Sequence, residues 1–252
     1  MDMVADAREF YDDLADDYDA VFEDWDASVR RQGALLETML GEASDPILDV
    51  AAGMGTQAIG LALLGHSVVA RDLSPRLIER GRNEASRLNA RLELDVGDMR
   101  ELRPGDTGRF GTVLAFDNAF AHLDASGMAD ALAGARRALK DDGKLLVSIR
   151  DYDTLAVERP TFDEPRMLGT APHRRLIVQL WTWADDGRSY QMDHIILRED
   201  GASWRATGRR TKCNAVLRNA LSAAAREAGF RKGTWLMPDE TGFYQPMFSA
   251  IR

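Results

Sequence analysis

Three carboxylates stand at the ends of three short apolar stretches: Asp49 closes PILD, Asp72 closes SVVARD, and Asp98 follows RLELDVG. The run AAGMGTQA links the first two. Glycines at 53 and 55 would let the backbone approach a ligand closely, and a helix opening near Thr56 would aim unpaired N–H groups at it. Asp72 comes 17 residues after Gly55 (72 − 55), well placed to hold ribose hydroxyls. Asp98 and Met99 stand where an adenine could be sandwiched and its amino group accepted by a carboxylate.

The glycines alone admit two cofactors. GMGTQA also fits the G-x-G-x-x-G/A pattern of dinucleotide sites, so an NAD-dependent oxidoreductase has to be weighed. Asp49 argues against it. A carboxylate at the mouth of the loop would repel a pyrophosphate and attract the ammonium of an amino-acid-bearing cofactor. An adenosine joined to a cationic amino acid is S-adenosylmethionine, with S-adenosylhomocysteine as the product of its use. Each acid also has a plainer reading: Asp72 as a helix cap, Asp98 as a surface acid in a turn. Ser74, followed by Pro75, caps the next helix better and frees Asp72.

Acids at successive strand ends need a scaffold that gathers those ends. From Pro46 onward, apolar stretches (PILDVA, SVVAR, RLELDV, TVLAF, KLLVSIR) alternate with helical ones (Thr56–Leu64, Pro75–Leu88, Ala125–Leu139). That alternation predicts strands buried on both faces of a parallel sheet. RKGTWLM and FYQPMFSAI add two strands after a helix at Asn214–Ala228 that ends at Gly229. Pro160, Pro165, Gly169 and Pro172 read as a loop. Three strands then follow within about 170–212, separated by the turn signals Asp186-Gly187 and Asp200-Gly201. The expected fold is α/β: a doubly wound, mostly parallel seven-stranded Rossmann-like sheet with a small antiparallel insertion. Residues 1–45 would form N-terminal helices that could act as a lid. Residues 46–170 and 213–252 would bind the cofactor, and 171–212 would form the insertion near the acceptor. Within the N-terminal region, Tyr11 to Trp25 reads as one amphipathic helix and Ser28–Leu40 as a second, capped by Ser28.

The formal net charge of −9 disfavours nucleic acid, whose phosphates would be repelled. No apolar run reaches the roughly 18 residues that span a bilayer, so no membrane partner is expected. The start lacks a secretory pattern and Cys213 is the single cysteine; both fit a reducing cytoplasm. Cys213 is read as a small buried hydrophobe. No metal site is assigned. Residues 1–26 hold eleven acids against one arginine, a run read as a solvated helix face. A small-molecule acceptor is the expected partner, and a homo-oligomer is left open.

Four stretches carry a family resemblance: FYDDLADDYDAVFEDWDASVRRQ, DVAAGMGTQAIGLALLGH, FDNAFAHLD (Phe116–Asp124) and IRDYDTL (Ile149–Leu155). On these the chain resembles the class I methyltransferases, and more narrowly the glycine/sarcosine N-methyltransferase group. The resemblance implies that Asp49, Ala51, Gly53, Gly55 and Gln57 hold the methionine part of S-adenosylmethionine. It implies Asp72 and Leu73 at the ribose, Asp98 and Met99 at the adenine, and Asp117 facing the cofactor. Tyr18 and either Arg30 or Arg31 would reach in from the N-terminal helices, the arginine meeting the cofactor carboxylate. Asn118, His122, Arg150 and Tyr152 would line the acceptor pocket. Ala51-Ala52 and Phe120-Ala121 depart from the family pattern, which leaves the acceptor open.

The implied reaction is methyl transfer to a small molecule, first to the amine of glycine or an N-methylated glycine. A methyltransferase of the same fold acting at N, O or C of another metabolite is the alternative. Arg150 could grip an acceptor carboxylate, while Asn118 and Tyr152 turn the amine lone pair toward the methyl. His122 could be a general base or be satisfied by the backbone. Trp181, Trp183 and Trp204 are read as packing, and Arg205, Arg209, Arg210 and Lys212 as a solvated strand face.

Overall fold

Strands buried on both sides form the centre of the molecule. The computed structural model describes residues 6–40 and 45–252. Its elements run α1 (Ala7–Leu14), a 3-10 helix (Ala15–Val21), α2 (Trp25–Glu37), β1 (Ile47–Asp49), α3 (Thr56–Leu63), β2 (Val68–Asp72), α4 (Pro75–Leu88) and β3 (Glu93–Val96). They continue with β4 (Phe110–Ala115), a second 3-10 helix (Ala119–His122), α5 (Ala125–Ala138), β5 (Leu139–Ser148), α6 (Tyr152–Glu158) and β6 (Arg166–Leu168). The chain then forms β7 (Arg175–Trp183), β8 (Ser189–Asp200), β9 (Ser203–Asn214), α7 (Arg218–Glu227), β10 (Arg231–Leu236), α8 (Pro238–Thr241) and β11 (Met247–Ile251).

Seven strands form one sheet in the order β10-β11-β5-β4-β1-β2-β3. β11 runs antiparallel to both neighbours, while β5, β4, β1, β2 and β3 pair in parallel. Successive side chains go to opposite faces, as the pleat requires. Leu48, Val113, Leu145 and Val147 join one apolar cluster with α5, α7 and Phe10 of α1. Ile47, Leu114 and Leu146 join the other with α2, α3 and α4. The strand order turns back on itself between β4 and β1, and such a switch point is where doubly wound sheets bind ligands.

The second sheet has four strands, β6-β7-β8-β9, where the sequence predicts three. The extra strand, β6, pairs at the edge through Arg166↔Ile177 and Leu168↔Arg175. Three residues between Pro165 and Gly169 are too few to show a period of two, so they read as loop. The inner face of this sheet (Ile177, Trp181, Tyr190, Met192, Ile196) packs into the same core as α5 and α1. Cys213 is buried there too.

At the N-terminus the single expected helix breaks at Ala15 into a 3-10 turn. Several of its acids are paired as well as solvated: Asp16 with Arg76 and Asp19 with Arg80 on α4, both still exposed, and the mostly buried Asp17 with Arg198 and Arg209 on the second sheet. A segment bonded to two different bodies follows their geometry over its own helical period. α2 starts at Asp24, whose side chain accepts from Ala27 N at 2.9 Å, so the predicted cap Ser28 lies inside the helix. The Ser74 cap with Pro75 forms as expected, and so does Gly229 at φ +93. α7 begins at Arg218, because the Asn214 amide turns instead to the Leu123 carbonyl.

Candidate active site

The loop from β1 to α3 is shaped by its glycines. Gly55, at φ +94, is the N-cap of α3, and its N–H donates to Ala52 O at 2.7 Å. Gly53 sits at φ +55 and donates its N–H to Asp72 Oδ2 at 2.8 Å. Both conformations are cheap for glycine and costly for a residue with a Cβ. Beneath the loop Asp49 is fully buried. Its Oδ1 accepts from Ala51 N at 3.2 Å, and its Oδ2 has no hydrogen-bond partner among the described residues. Burial, opposed by the Ala51 bond and reinforced by Asp72 and Asp117, pushes its pKa up to about 8.

At the end of β2, Asp72 accepts from both Gly53 N and Ser74 N, and burial raises its pKa. Asp72 is thus no helix cap; it ties the loop to the β2 end. Past β3, Asp98 is held bidentately by Arg100, whose guanidinium keeps the carboxyl below its usual range.

Past β4, Asp117 and Asn118 both adopt left-handed backbone, at φ +55 and +68. Asp117 Oδ2 accepts from Gln57 Nε2 at 2.8 Å and Oδ1 from the Tyr244 hydroxyl at 2.5 Å. His122 Nε2 and the Tyr11 hydroxyl share a hydrogen bond of 3.1 Å. Burial, helped by the Arg150 charge, pushes the His122 pKa down to about 4, so the imidazole is neutral at neutral pH and a weak base.

These groups share a cavity of about 310 Å³. Of the predicted residues, Tyr18, Ala51, Gly53, Gln57, Asp72, Leu73, Asp98, Met99, Asp117 and His122 line it. Asp49 and Gly55 lie behind the loop. Five residues predicted as acceptor or cofactor contacts fall elsewhere. Arg30 and Arg31 are exposed on the outer side of α2, and it is Gln32 that turns inward, accepting from Gln57 Nε2 at 2.7 Å. The rotation of α2 is set by a backbone contact: a Cβ on Gly33 would stand 2.5 Å from the Gly60 carbonyl carbon. Arg150 donates to Tyr190 Oη at 3.0 Å and Gln179 Oε1 at 2.7 Å, and its guanidinium lies 4.8 Å from the Trp181 ring centre. Asn118 Nδ2 donates to Tyr152 Oη, which shares a bond with Tyr190 Oη. Asn118, Arg150 and Tyr152 therefore join the two sheets behind the cavity instead of lining it.

The aromatic and basic residues of the second sheet resolve similarly. Trp181 and Trp183 pack against Tyr190, and Arg174 lies over Trp204. Arg205 pairs with Asp200 and Arg210 with Asp193, and Arg209 holds Asp17, so these arginines are held in ion pairs on both faces of β9.

Tyr11, Arg100, Gln32 and Tyr244 were not anticipated at the site. Tyr11 stood in the sequence as one apolar position of a helix face, and its hydroxyl gave no separate signal. Tyr244 is 127 residues from Asp117 in sequence and reaches it because β11 inserts beside β5.

Two features of the loop fit S-adenosylmethionine. The partnerless oxygen of buried Asp49 asks for a cation or donor, and a Cβ at 53 would fill the cradle over the loop, 2.8 Å from Tyr18 Oη. The family described as "Methyltransferase domain" matches residues 47–143. A glycine/sarcosine N-methyltransferase of Parasynechococcus marenigrum is 32% identical over 150 residues, 59% of this chain and 53% of that protein. The match thus spans about half the length of the curated relative. Among solved structures, an S-adenosylmethionine-bound amino pentose methyltransferase of Micromonospora echinaspora superposes with a TM-score of 0.67 at 22% identity, covering 96% of this chain and 91% of that one. The sugar N-methyltransferase of a Streptoalloteichus species gives 0.71 at 17% identity, covering 100% and 96%; both share the fold. With the strand order, the loop over Asp49 and these likenesses together, residues 47–143 form a methyltransferase domain, and the chain shares the fold of S-adenosylmethionine-dependent methyltransferases.

Proposed function

We propose that this chain transfers a methyl group from S-adenosylmethionine to the nitrogen of a small-molecule amine. The observation that carries the reading is one cavity joining the ends of β1, β2 and β3 to the segment after β4. Asp49, Ala51, Gly53, Gly55 and Gln57 would hold the methionine part, Asp72 and Leu73 the ribose, and Asp98 and Met99 the adenine. When bound, the cofactor supplies a methyl already activated on a sulfonium. The protein's own task is then alignment and exclusion of water, which can contribute roughly 7–11 kcal/mol. Tyr18 covers the loop from above, and Tyr11 and His122 can take up an N–H of the acceptor so that its lone pair is directed. At a pKa near 4, His122 would act as a hydrogen-bond partner more than as a proton store.

The named activity of the curated relatives points to glycine and sarcosine. A specific observation favours the alternative, a different small metabolite: Arg150, the expected carboxylate clamp, is committed to Tyr190, Gln179 and Trp181. Calorimetric titration with S-adenosylhomocysteine and with NAD tests the cofactor, and mass spectrometry of amines incubated with S-adenosylmethionine tests the reaction. Saturable binding of S-adenosylhomocysteine with no response to NAD is expected. Binding of NAD alone would overturn the reading.

A further inference from the structure

The cavity has two ends. The loops after β1, β2 and β3 form one, and the strand order places the segment after β4 on the far side of β1. With adenosine and methionine laid along the first three strands, the remaining end is walled by Asp117, Ala119, His122 and Leu123, and by Tyr11 and Asp6 from the N-terminal region. The charged side chains among these, Asp6 and Asp117, are acids. Arg100 is the one cation lining the cavity among the described residues; its side chain reaches the neighbourhood of Leu123, and its guanidinium is paired bidentately with Asp98. Arg150 is turned away, and Arg30 and Arg31 face solvent. Residues 1–5 and 41–44 contain no Lys, Arg or His.

A carboxylate carried into such an end would shed its water with no uncommitted cation to receive it, since Arg100 is paired with Asp98 and Arg150 is held by Tyr190 and Gln179, and with an acid facing it, which is unfavourable. Ammonium, amine and hydroxyl groups, all donors, meet the opposite situation. Asp117 is built to receive one. Its two oxygens are each fixed by one donor, Gln57 Nε2 and Tyr244 Oη, and each keeps a further lone pair. Its left-handed backbone is secured by its N–H donating to Ser148 Oγ at 2.8 Å.

We infer that the acceptor is a donor-rich amine with no anionic group beside its nitrogen, an amino alcohol or amino sugar in preference to an amino acid, and that Asp117 receives its N–H. This rests on the amine-methylation reading above.

The test uses matched pairs that share an amine and differ in carboxylate against hydroxymethyl or hydroxyl: glycine with ethanolamine, serine with serinol, glucosaminate with glucosamine. S-adenosylhomocysteine binding is measured first, and its failure would bring down the methyltransferase reading and this inference with it. With cofactor binding intact, the carboxylate-free partner should show kcat/KM at least about tenfold higher, a modest difference for an unpaired buried charge. A carboxylate partner equal or preferred overturns the inference. So does the absence of both turnover and binding of every carboxylate-free amine to the S-adenosylhomocysteine-loaded protein. Asp117→Asn should raise the amine KM about tenfold, the scale of one hydrogen bond to a charged group, a larger loss than any it causes in S-adenosylhomocysteine affinity through Gln57. Tyr244→Phe, which frees Asp117 Oδ1 without altering charge, serves as the second variant. Unchanged amine KM in Tyr244→Phe and in a folded Asp117→Asn would refute the role of Asp117.

Discussion

The Tyr18 hydroxyl occupies the space that a side chain on Gly53 would need: a Cβ built there stands 2.8 Å from Tyr18 Oη and 3.3 Å from Cζ. Gly53→Ala therefore meets two obstacles, the phenol and the left-handed backbone at φ +55. The backbone part costs about 1–2 kcal/mol, and the steric part falls on the loop that donates to Asp72. Expected are a lower Tm and S-adenosylhomocysteine affinity weakened by at least about tenfold, or 1.4 kcal/mol. In a double-mutant cycle Tyr18→Ala should recover the steric part alone. Strictly additive effects would mean that the phenol does not press on the loop.

Asp49 makes stability and cofactor binding respond oppositely to pH. Its folded pKa is raised to about 8 by burial, so the folded chain keeps a proton that the unfolded chain releases above about pH 4. On this account the ligand-free protein loses stability as pH rises from about 4 to about 8, and no further beyond. Binding a cofactor ammonium favours the charged carboxylate, so S-adenosylhomocysteine affinity should strengthen over the same window. Asp49→Asn, neutral throughout, should flatten the stability slope, be more stable than the parent at pH 8 by about 1–3 kcal/mol, and bind S-adenosylhomocysteine poorly. Thermal unfolding across that pH range with and without ligand decides it. A variant that kept the parent's affinity would remove Asp49 from the cofactor's ammonium.

Most of the central sheet was legible because burial on both faces writes itself as short, unbroken apolar runs, and because Ser74-Pro75 and Gly229 mark helix ends by local chemistry. Most residues expected at the cofactor line the cavity, since they sit at those strand ends; most of those expected at the acceptor do not. Which of Arg30, Arg31 and Gln32 faces inward depends on a helix rotation of about 100° per residue, and that rotation is fixed by the contact of Gly33 on Gly60, two positions far apart in sequence. Arg150 stands just after β5, but its direction depends on Gln179 and Tyr190 of the second sheet. The acid run before residue 26 was taken for solvated because its partners on α4, β8 and β9 are invisible locally.

That acid run supplies the next prediction. Asp17 lies between Arg198 at 2.9 Å and Arg209 at 2.6 Å, and Asp12 accepts from Ser74 Oγ at 2.5 Å on the other side. The segment carrying Tyr11 and Tyr18 over the cavity is thus held by charge as well as by the buried Phe10, Leu14 and Ala15. Asp17→Asn should cost about 1–2 kcal/mol, the scale of hydrogen bonds to a charged group, and should speed hydrogen exchange in α1 and the following 3-10 helix. Raising salt should weaken acceptor binding in the parent and do so less in the variant. Identical salt dependence in both would show that Asp17 does not hold the segment.

Arg150 separates a carboxylate clamp from a positioning residue. Its fork bridges Tyr190 on β8 and Gln179 on β7, its backbone N–H donates to Asn118 Oδ1 at 3.2 Å, and Asn118 follows Asp117 directly. Lysine keeps the charge but neither the fork nor the guanidinium's contact over the Trp181 ring. As a positioning residue, Arg150→Lys should lower Tm, lower kcat by about tenfold, or 1.4 kcal/mol, and leave S-adenosylhomocysteine affinity unchanged. The amine KM should move little and equally for acceptors with and without a carboxylate. As a clamp, the same substitution would raise KM for carboxylate-bearing acceptors alone and spare both kcat and Tm. The split between KM and kcat, measured on glycine and ethanolamine in parallel, therefore reads out which of the two the arginine is. The committed geometry of its guanidinium predicts the first outcome.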